Sequence, residues 1–309
     1  MPKIHVLHEN PDWLPPLAAA LDRTGAPWDE WFLVEHAFDL STPPPEGIFY
    51  NRMSASSHTR GHRFSPELTA ATLSWLTQYG RRVVNGPGAL DLEISKVRQY
   101  GALARAGVAI PRSVVVAGKG RLVEAAREAF GEGRFILKPN RGGKGLGVQP
   151  FVDADALAAY VASPAFEEPR DGIHLLQEHV ATAEPIITRA EFVGGHFLYA
   201  VEVDTTGGFQ LCPADVCALP GAARPAFKVI EAIDAKLQAR LERFLQLAGI
   251  EIAGIEFATG DRGPLVYDVN TNTNYNAEAE AAAGLTLTGM GAIARFLKAE
   301  LDKTVRQAA

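Results

Sequence analysis

The chain has 309 residues, 47% of them hydrophobic, and carries 30 Lys and Arg against 36 Asp and Glu for a net charge of −6. That length suits about two ordinary domains with sizeable cores, and an acidic balance without any block of like charge excludes a general nucleic-acid binder, whose affinity rests on a basic face. Two cysteines, Cys212 and Cys217, exclude a disulfide scaffold and suit a reducing compartment.

The first ten residues lack the apolar run of a secretory signal and no stretch approaches about 18 apolar residues, so a cytoplasmic protein without a membrane partner is expected. Residues 1–90 read as a small α/β unit. It has strands at Ile4–Leu7 and Ile48–Tyr50 separated by Pro43-Pro44-Pro45, then a helix with Ser65 as N-cap and Pro66 in its first turn. Leu68, Ala71, Trp75, Leu76 and Tyr79 share one face of that helix, and Gly80 ends it. A strand at Arg82–Val84 leads to the turn cluster Asn85-Gly86-Pro87-Gly88, a candidate domain boundary. Next come a helix over 95–105, with Val97, Tyr100, Leu103 and Ala104 inward, the β-branched run Val114-Val115-Val116, a helix over 122–130 and a strand over 135–138. Beyond a helix at 154–161 lie strands at 173–178, 186–193 and 197–203, the last two joined through Gly194-Gly195. A long helix is read from Ile230, Ile233, Leu237, Leu241, Phe244 and Leu245, closed by Gly249; a hairpin over 252–257 and 265–269 and a helix near 291–301 finish the chain.

The most glycine-dense stretch is Arg141-Gly142-Gly143-Lys144-Gly145-Leu146-Gly147-Val148. Glycines let backbone N–H groups approach phosphate oxygens without a Cβ in the way. The Walker pattern is absent, since Lys138 stands where its first Gly belongs and Gly145 follows Lys144. A dinucleotide fingerprint would open a helix, whereas a strand follows here, and no Asp-Phe-Gly or His-Arg-Asp element supports a kinase. A mobile surface loop is an equal reading until Lys138 is added: a lysine ending an apolar strand beside such a loop suits neutralising a triphosphate.

Asp268 and Asn270, two apart on a strand, share a face. If residues 258–263 form the hairpin loop, Glu256 falls almost opposite Asp268, and facing carboxylates repel. A divalent cation relieves that, and Glu, Asp and Asn form an oxygen set suited to Mg²⁺. The competing reading is a solvated hairpin face, against which stands the unusual Asn270-Thr271-Asn272-Thr273-Asn274 that follows.

With these residues in order, the chain resembles the ATP-grasp enzymes and within them the RimK-like α-L-glutamate ligases, from about Leu90 to the C-terminus. Lys96, before Ala106-Gly107-Val108-Ala109-Ile110-Pro111, matches the family's first nucleotide lysine. Lys138 and the loop Gly142, Gly143, Lys144, Gly145, Gly147 match its second lysine and phosphate lid. Gln177-Glu178-His179-Val180 resembles the adenine-holding strand, Arg189 the arginine facing phosphates and reacting carboxyl, and Glu256, Asp268 and Asn270 the metal-holding set. The resemblance implies an α/β (α+β) ATP-grasp fold divided as a pre-ATP-grasp α/β domain (1–90), a central lid subdomain (91–172) and a C-terminal subdomain with the metal site (173–309). It implies ATP and two Mg²⁺, with Mn²⁺ as substitute, and an ADP-forming carboxylate–amine ligase working through an acyl phosphate on an amino acid or peptide. Another ATP-grasp phosphotransferase or carboxylating enzyme, and a non-catalytic nucleotide-binding module, are the alternatives; nucleic acid is not an expected partner, and homo-oligomerisation is left open.

Departures mark the substrate side. The family's aspartate two residues before the arginine is Ile187 here, with Glu184 as replacement; its Arg-Ser-Asn tract aligns with Gln210-Leu211-Cys212; and its Ala-Ser-Pro-Gly is replaced by Thr271-Asn272-Thr273-Asn274-Tyr275-Asn276. Glutamate specificity therefore does not carry over. Lys228 is a candidate substitute for the missing arginine and equally a surface lysine. The stretch Asn51–Arg63, with Arg52, His58, Arg60 and His62, reads first as a solvated loop and second as a reach into the cleft. Cys212 and Cys217 read as apolar thiols rather than half a metal site.

Overall fold

The computed structural model describes residues 1–143, 145–206 and 227–308. The expectations for Lys144, for the 210–212 tract and for Cys212 and Cys217 lie outside the described residues.

The first unit contains β1 (Lys3–His8), α1 (Pro15–Thr24), β2 (Trp28–Phe32), β3 (Gly47–Asn51), α2 (Ser65–Gln78) and β4 (Arg82–Val84). Its strands form a parallel sheet ordered β2-β1-β3-β4. α1 and β2 escape the apolar patterning because α1 opens on two prolines and β2 carries Asp29 and Glu30. Ser65 is the first helical residue rather than the cap, which is Phe64 without a side-chain bond. Ala71 is exposed, and Thr72 and Leu73 take the buried face with Trp75 and Leu76.

α3 (Pro87–Glu93) and α4 (Lys96–Arg105) follow, α4 capped by the Ser95 side chain. Then come β5 (Ser113–Ala117), α5 (Leu122–Phe130), β6 (Phe135–Pro139), β7 (Gln149–Phe151), α6 (Ala154–Ala162) and β8 (Ile173–Glu178). The four strands make an antiparallel sheet ordered β5-β8-β6-β7. β8 is thus an inner strand of this second sheet, which extends past residue 172. α3 and α4 pack instead on the third sheet, through Ala89, Tyr100 and Leu103; Ala104 is exposed.

That third sheet joins β9 (Ile186–Val193), β10 (His196–Asp204), β11 (Phe227–Ile230), β12 (Ile252–Gly260) and β13 (Gly263–Asn270) in the order β11-β10-β9-β12-β13. Ile230 closes β11, and the long helix α7 (Ala235–Ala248) starts later than its apolar spacing predicts because Asp234 caps it, accepting from the Leu237 N–H at 2.8 Å. α8 (Ala277–Ala282) and α9 (Gly289–Ala308) complete the chain. Among the described residues no helix is long and apolar enough to cross a membrane.

Two devices tie the units together. α9 returns to the first sheet, where Ile293, Leu297 and Leu301 pack with Ile4, Leu17, Ile48 and Tyr50, each such side chain contributing on the order of 2 kcal/mol. Asn85, buried at φ 55°, donates through Nδ2 to the Ile252 and Thr271 carbonyls at 2.8 and 2.7 Å, and its Oδ1 accepts from the Glu251 and Ile252 N–H groups. Asn tolerates left-handed backbone better than other non-glycine residues, and here its amide splices β4 to the third sheet.

Candidate active site

The second and third sheets face one another across a cavity of about 410 Å³. Lys96, at the first turn of α4, pairs with Asp268 on β13. Lys138, on β6 and 5% exposed, donates to the Tyr100 hydroxyl, and Nζ lies 3.4 Å from the Tyr267 carbonyl. That carbonyl is available because β13 bulges: Glu256 faces Asp268 but Phe257 faces Val266, leaving Tyr267 as the extra residue. Tyr100 also receives Gln177 Nε2 at 2.8 Å and donates to the Tyr267 carbonyl at 2.8 Å. Burial, reinforced by the like charge of Lys96, pushes the Lys138 amine down to about 7.

Gly142, Gly143 and Gly145 line the cavity, as do Gln177, Glu178, His179 and Val180. Gly147, at φ 75°, sits against the Pro139 ring and is not among the lining residues. Glu178 accepts from the Arg112 N–H at 2.7 Å and from Arg262, so its carboxylate is already engaged. Glu184 is exposed and outside the cavity lining. Lys228 is 74% exposed on β11 and pairs with Glu202.

The acidic set assembles as the hairpin spacing predicts. β12 and β13 turn through Asp261 and Arg262, and Glu256 is registered directly on Asp268. Asn270 donates through Nδ2 to Glu256 Oε1 at 3.3 Å, which turns its Oδ1 away from Glu256. Burial pushes the Glu256 carboxyl up to about 7 despite Arg189, and Asp268 adds to the rise. Two carboxylates and an amide oxygen form a donor set suited to a hard cation such as Mg²⁺, and the raised Glu256 marks an electrostatic deficit that a cation relieves. Among the described residues no group of three His, Cys, Asp or Glu is placed to hold a metal; here the third donor is an amide.

Arg189, on β9 and 4% exposed, spreads its guanidinium over three acceptors: Glu191 at 2.6 Å, Glu256 at 2.9 Å and the Thr273 hydroxyl at 2.7 Å. Thr273 passes its own proton to Glu191 at 2.8 Å. Nothing in the sequence spacing marks Tyr100, Glu191 or Thr273 as site residues. The stretch Asn51–Arg63 is not a solvated loop: residues 51–57 are buried, and Arg52 bonds Asn272, Asn274 and the Trp13 and Thr273 carbonyls. Arg60 and His62 engage the buried Glu9, and His58 lies 3.2 Å from the Ala55 carbonyl.

Three sheets with this order and a cavity between the last two define the ATP-grasp fold. No family model matches the chain and no curated protein does. Among solved structures, the chain is similar to a RimK-domain ATP-grasp protein from Sphaerobacter thermophilus, at 18% identity over 95% of this chain and 98% of that one with a TM-score of 0.69. The ATP-grasp ligase PsnB complexed with minimal precursor aligns at 18% identity over 97% and 99%, TM-score 0.67. D-alanyl-alanine synthetase A from Vibrio cholerae aligns at 14% over 96% and 98%, TM-score 0.66.

Proposed function

We propose that the protein is an ATP-dependent, ADP-forming ligase that joins a carboxylate to an amine, its substrates an amino acid or peptide. The observation that carries this is the convergence of Lys96, Lys138, Glu256 and Asp268 in the lining of the 410 Å³ cavity, with Arg189 and Asn270 bonded to Glu256 at its edge. Solved relatives of this fold include PsnB with Mg and ADP, D-cycloserine synthetase and a D-Ala:D-Ser ligase, which supports the same class of chemistry here.

In the proposed reaction a substrate carboxylate oxygen attacks the γ-phosphorus of ATP, the bond to the β-phosphate oxygen breaks, and ADP leaves. The amine nitrogen then attacks the acyl carbon, phosphate departs with the bonding pair, and the amine loses a proton to give the amide. Lys138 and the loop N–H groups of Gly142, Gly143 and Gly145 hold the phosphates, where charge builds in the transition state. Arg189, fixed by Glu191 and Thr273, faces the acyl phosphate. Lys96 exchanges Asp268 for phosphate oxygens when nucleotide enters. Glu256, Asp268 and Asn270 would hold Mg²⁺, two ions by analogy with the fold, which neutralise phosphate charge when bound. A non-catalytic nucleotide module has no use for a buried, three-acceptor Arg189 pointed at the same edge.

The test is incubation of the full chain with ATP, Mg²⁺ and pooled amino acids, following ADP, phosphate and product mass. ADP and phosphate released together only when both a carboxylate and an amine are supplied is the expected result; absence of nucleotide binding overturns the reading.

A further inference from the structure

Beyond β13 the chain bends at Thr271 and Asn272, yet its residues still divide between two sides. Thr271 and Thr273 point inward, 1% and 0% exposed, and bond the half-buried Glu93 and the buried Glu191. Asp268, Asn270, Asn272 and Asn274 all line a second cavity of about 50 Å³, with Trp13 and Ser56 on its first-domain side.

The four side chains do not present the same chemistry. Asn270 spends its N–H on Glu256, and among the described residues nothing donates to its oxygen, in keeping with Asp268 beside it. Asn272 and Asn274 are reversed. Both oxygens accept from Arg52, at 3.2 and 2.7 Å; a guanidinium has donors and no acceptor, so the amide orientation is fixed by chemistry rather than by choice. Among the described residues no acceptor meets either Nδ2. Along the wall of this cavity a row of oxygens thus gives way to a pair of N–H donors locked by a buried arginine.

We propose that Asn272 and Asn274 read a second carbonyl-type oxygen group of the substrate, a carboxylate or carboxamide, distinct from the carboxylate that is phosphorylated. The assignment rests on the ligase reading for which group reacts, but the donor pair stands on its own geometry. Arg52 acts here as a positioning residue, because its own donors are consumed by protein oxygens. The cavity's cations, Lys96 and Arg189, pair with Asp268 and with Glu191 and Glu256 in the free protein and in the proposed reaction turn to the nucleotide phosphates and the reacting carboxyl, which leaves recognition of the remote oxygens to the two amides. Specificity then follows from geometry: a substrate without the second group strands two oriented donors.

Asn272→Asp and Asn274→Asp keep an oxygen for Arg52 and replace only the donor by lone pairs, so an added Asp–Arg52 ion pair should leave the thermal midpoint equal or higher. Succinate, glutarate, succinamate and butyrate are titrated calorimetrically into the MgADP-loaded full chain, wild type and both variants. The wild type should hold succinate or glutarate roughly 10- to 100-fold more tightly than butyrate. The variants should lose that preference for the diacids and lose less for succinamate, whose own NH₂ can donate to the new carboxylate; equal losses for succinate and succinamate assign the group to carbonyl oxygen in general. Wild type that binds butyrate as well as the diacids, wild type that binds none of the four, or variants that bind the diacids undiminished, overturn the proposal. Wild type that prefers a diacid yet releases no ADP from ATP with any carboxylate and amine overturns the ligase reading and leaves the donor pair standing.

Discussion

The Arg189 guanidinium lies across Gly254. A Cβ at residue 254 would come within 2.6 Å of the arginine Cζ, so the glycine is the recess that lets Arg189 lie flat between Glu191 and Glu256.

Gly254→Ala should therefore displace the arginine while keeping the sheet. Overpacking of this kind costs about 1–3 kcal/mol of stability, and loss of an aligned cation at a developing charge costs about 100-fold in kcat. Urea unfolding together with steady-state kinetics checks both; unchanged kcat would show that Arg189 does not act from its present position.

Asp268→Ala removes the partner of Lys96 and one of two carboxylates at the proposed metal edge. Turnover should fall at least about 1,000-fold, as for loss of an essential charged group, while circular dichroism shows a folded protein. Turnover within tenfold of wild type refutes the metal assignment.

Nucleotide affinity should depend on pH through Lys138. Its amine stands near 7 in the free protein, held down first by burial and then by Lys96, and bound phosphates would raise it. Binding above pH 7 then takes up a proton, so affinity falls as pH rises from 7, by at most about tenfold per unit. Calorimetry in buffers of different ionisation enthalpy reads the proton directly. Affinity that stays flat between pH 7 and 9 contradicts the assignment, and Lys138→Met should abolish the slope.

Asn85→Ala deletes two donated and two accepted hydrogen bonds and leaves the Ile252 and Thr271 carbonyls to find other partners in a buried setting. With the added strain of a left-handed alanine, the loss should be about 3 kcal/mol or more. A chemical-denaturation difference under about 1 kcal/mol would mean that β4 is not spliced to the third sheet by this amide.

The sequence made strands visible wherever β-branched runs repeat with period two, and the hairpin spacing alone put Glu256 on Asp268. It hid whatever depends on a distant partner. β8 reads the same whether it belongs to the second sheet or the third; only its pairing with β5 and β6 decides. Ile230 fits a helical apolar face until Asp234 caps the helix after it. Gly254 is one glycine in an apolar strand, and nothing local says that an arginine lies over it. The Asn-Thr repeat after β13 was conspicuous as composition, but its division into inward threonines and outward asparagines needs Glu93, Glu191 and Arg52, which lie 178, 82 and more than 200 residues away.

α9 covers one face of a sheet whose last strand ends at Val84. A ribosome adding roughly 5–20 residues per second needs about 10–40 s to pass from that strand to Leu301. Throughout that time Ile4, Ile48 and Tyr50 await the side chains that bury them. The N-terminal unit is consequently finished last, and premature termination anywhere before α9 yields a chain with an uncovered apolar sheet, a natural substrate for holding chaperones and proteases.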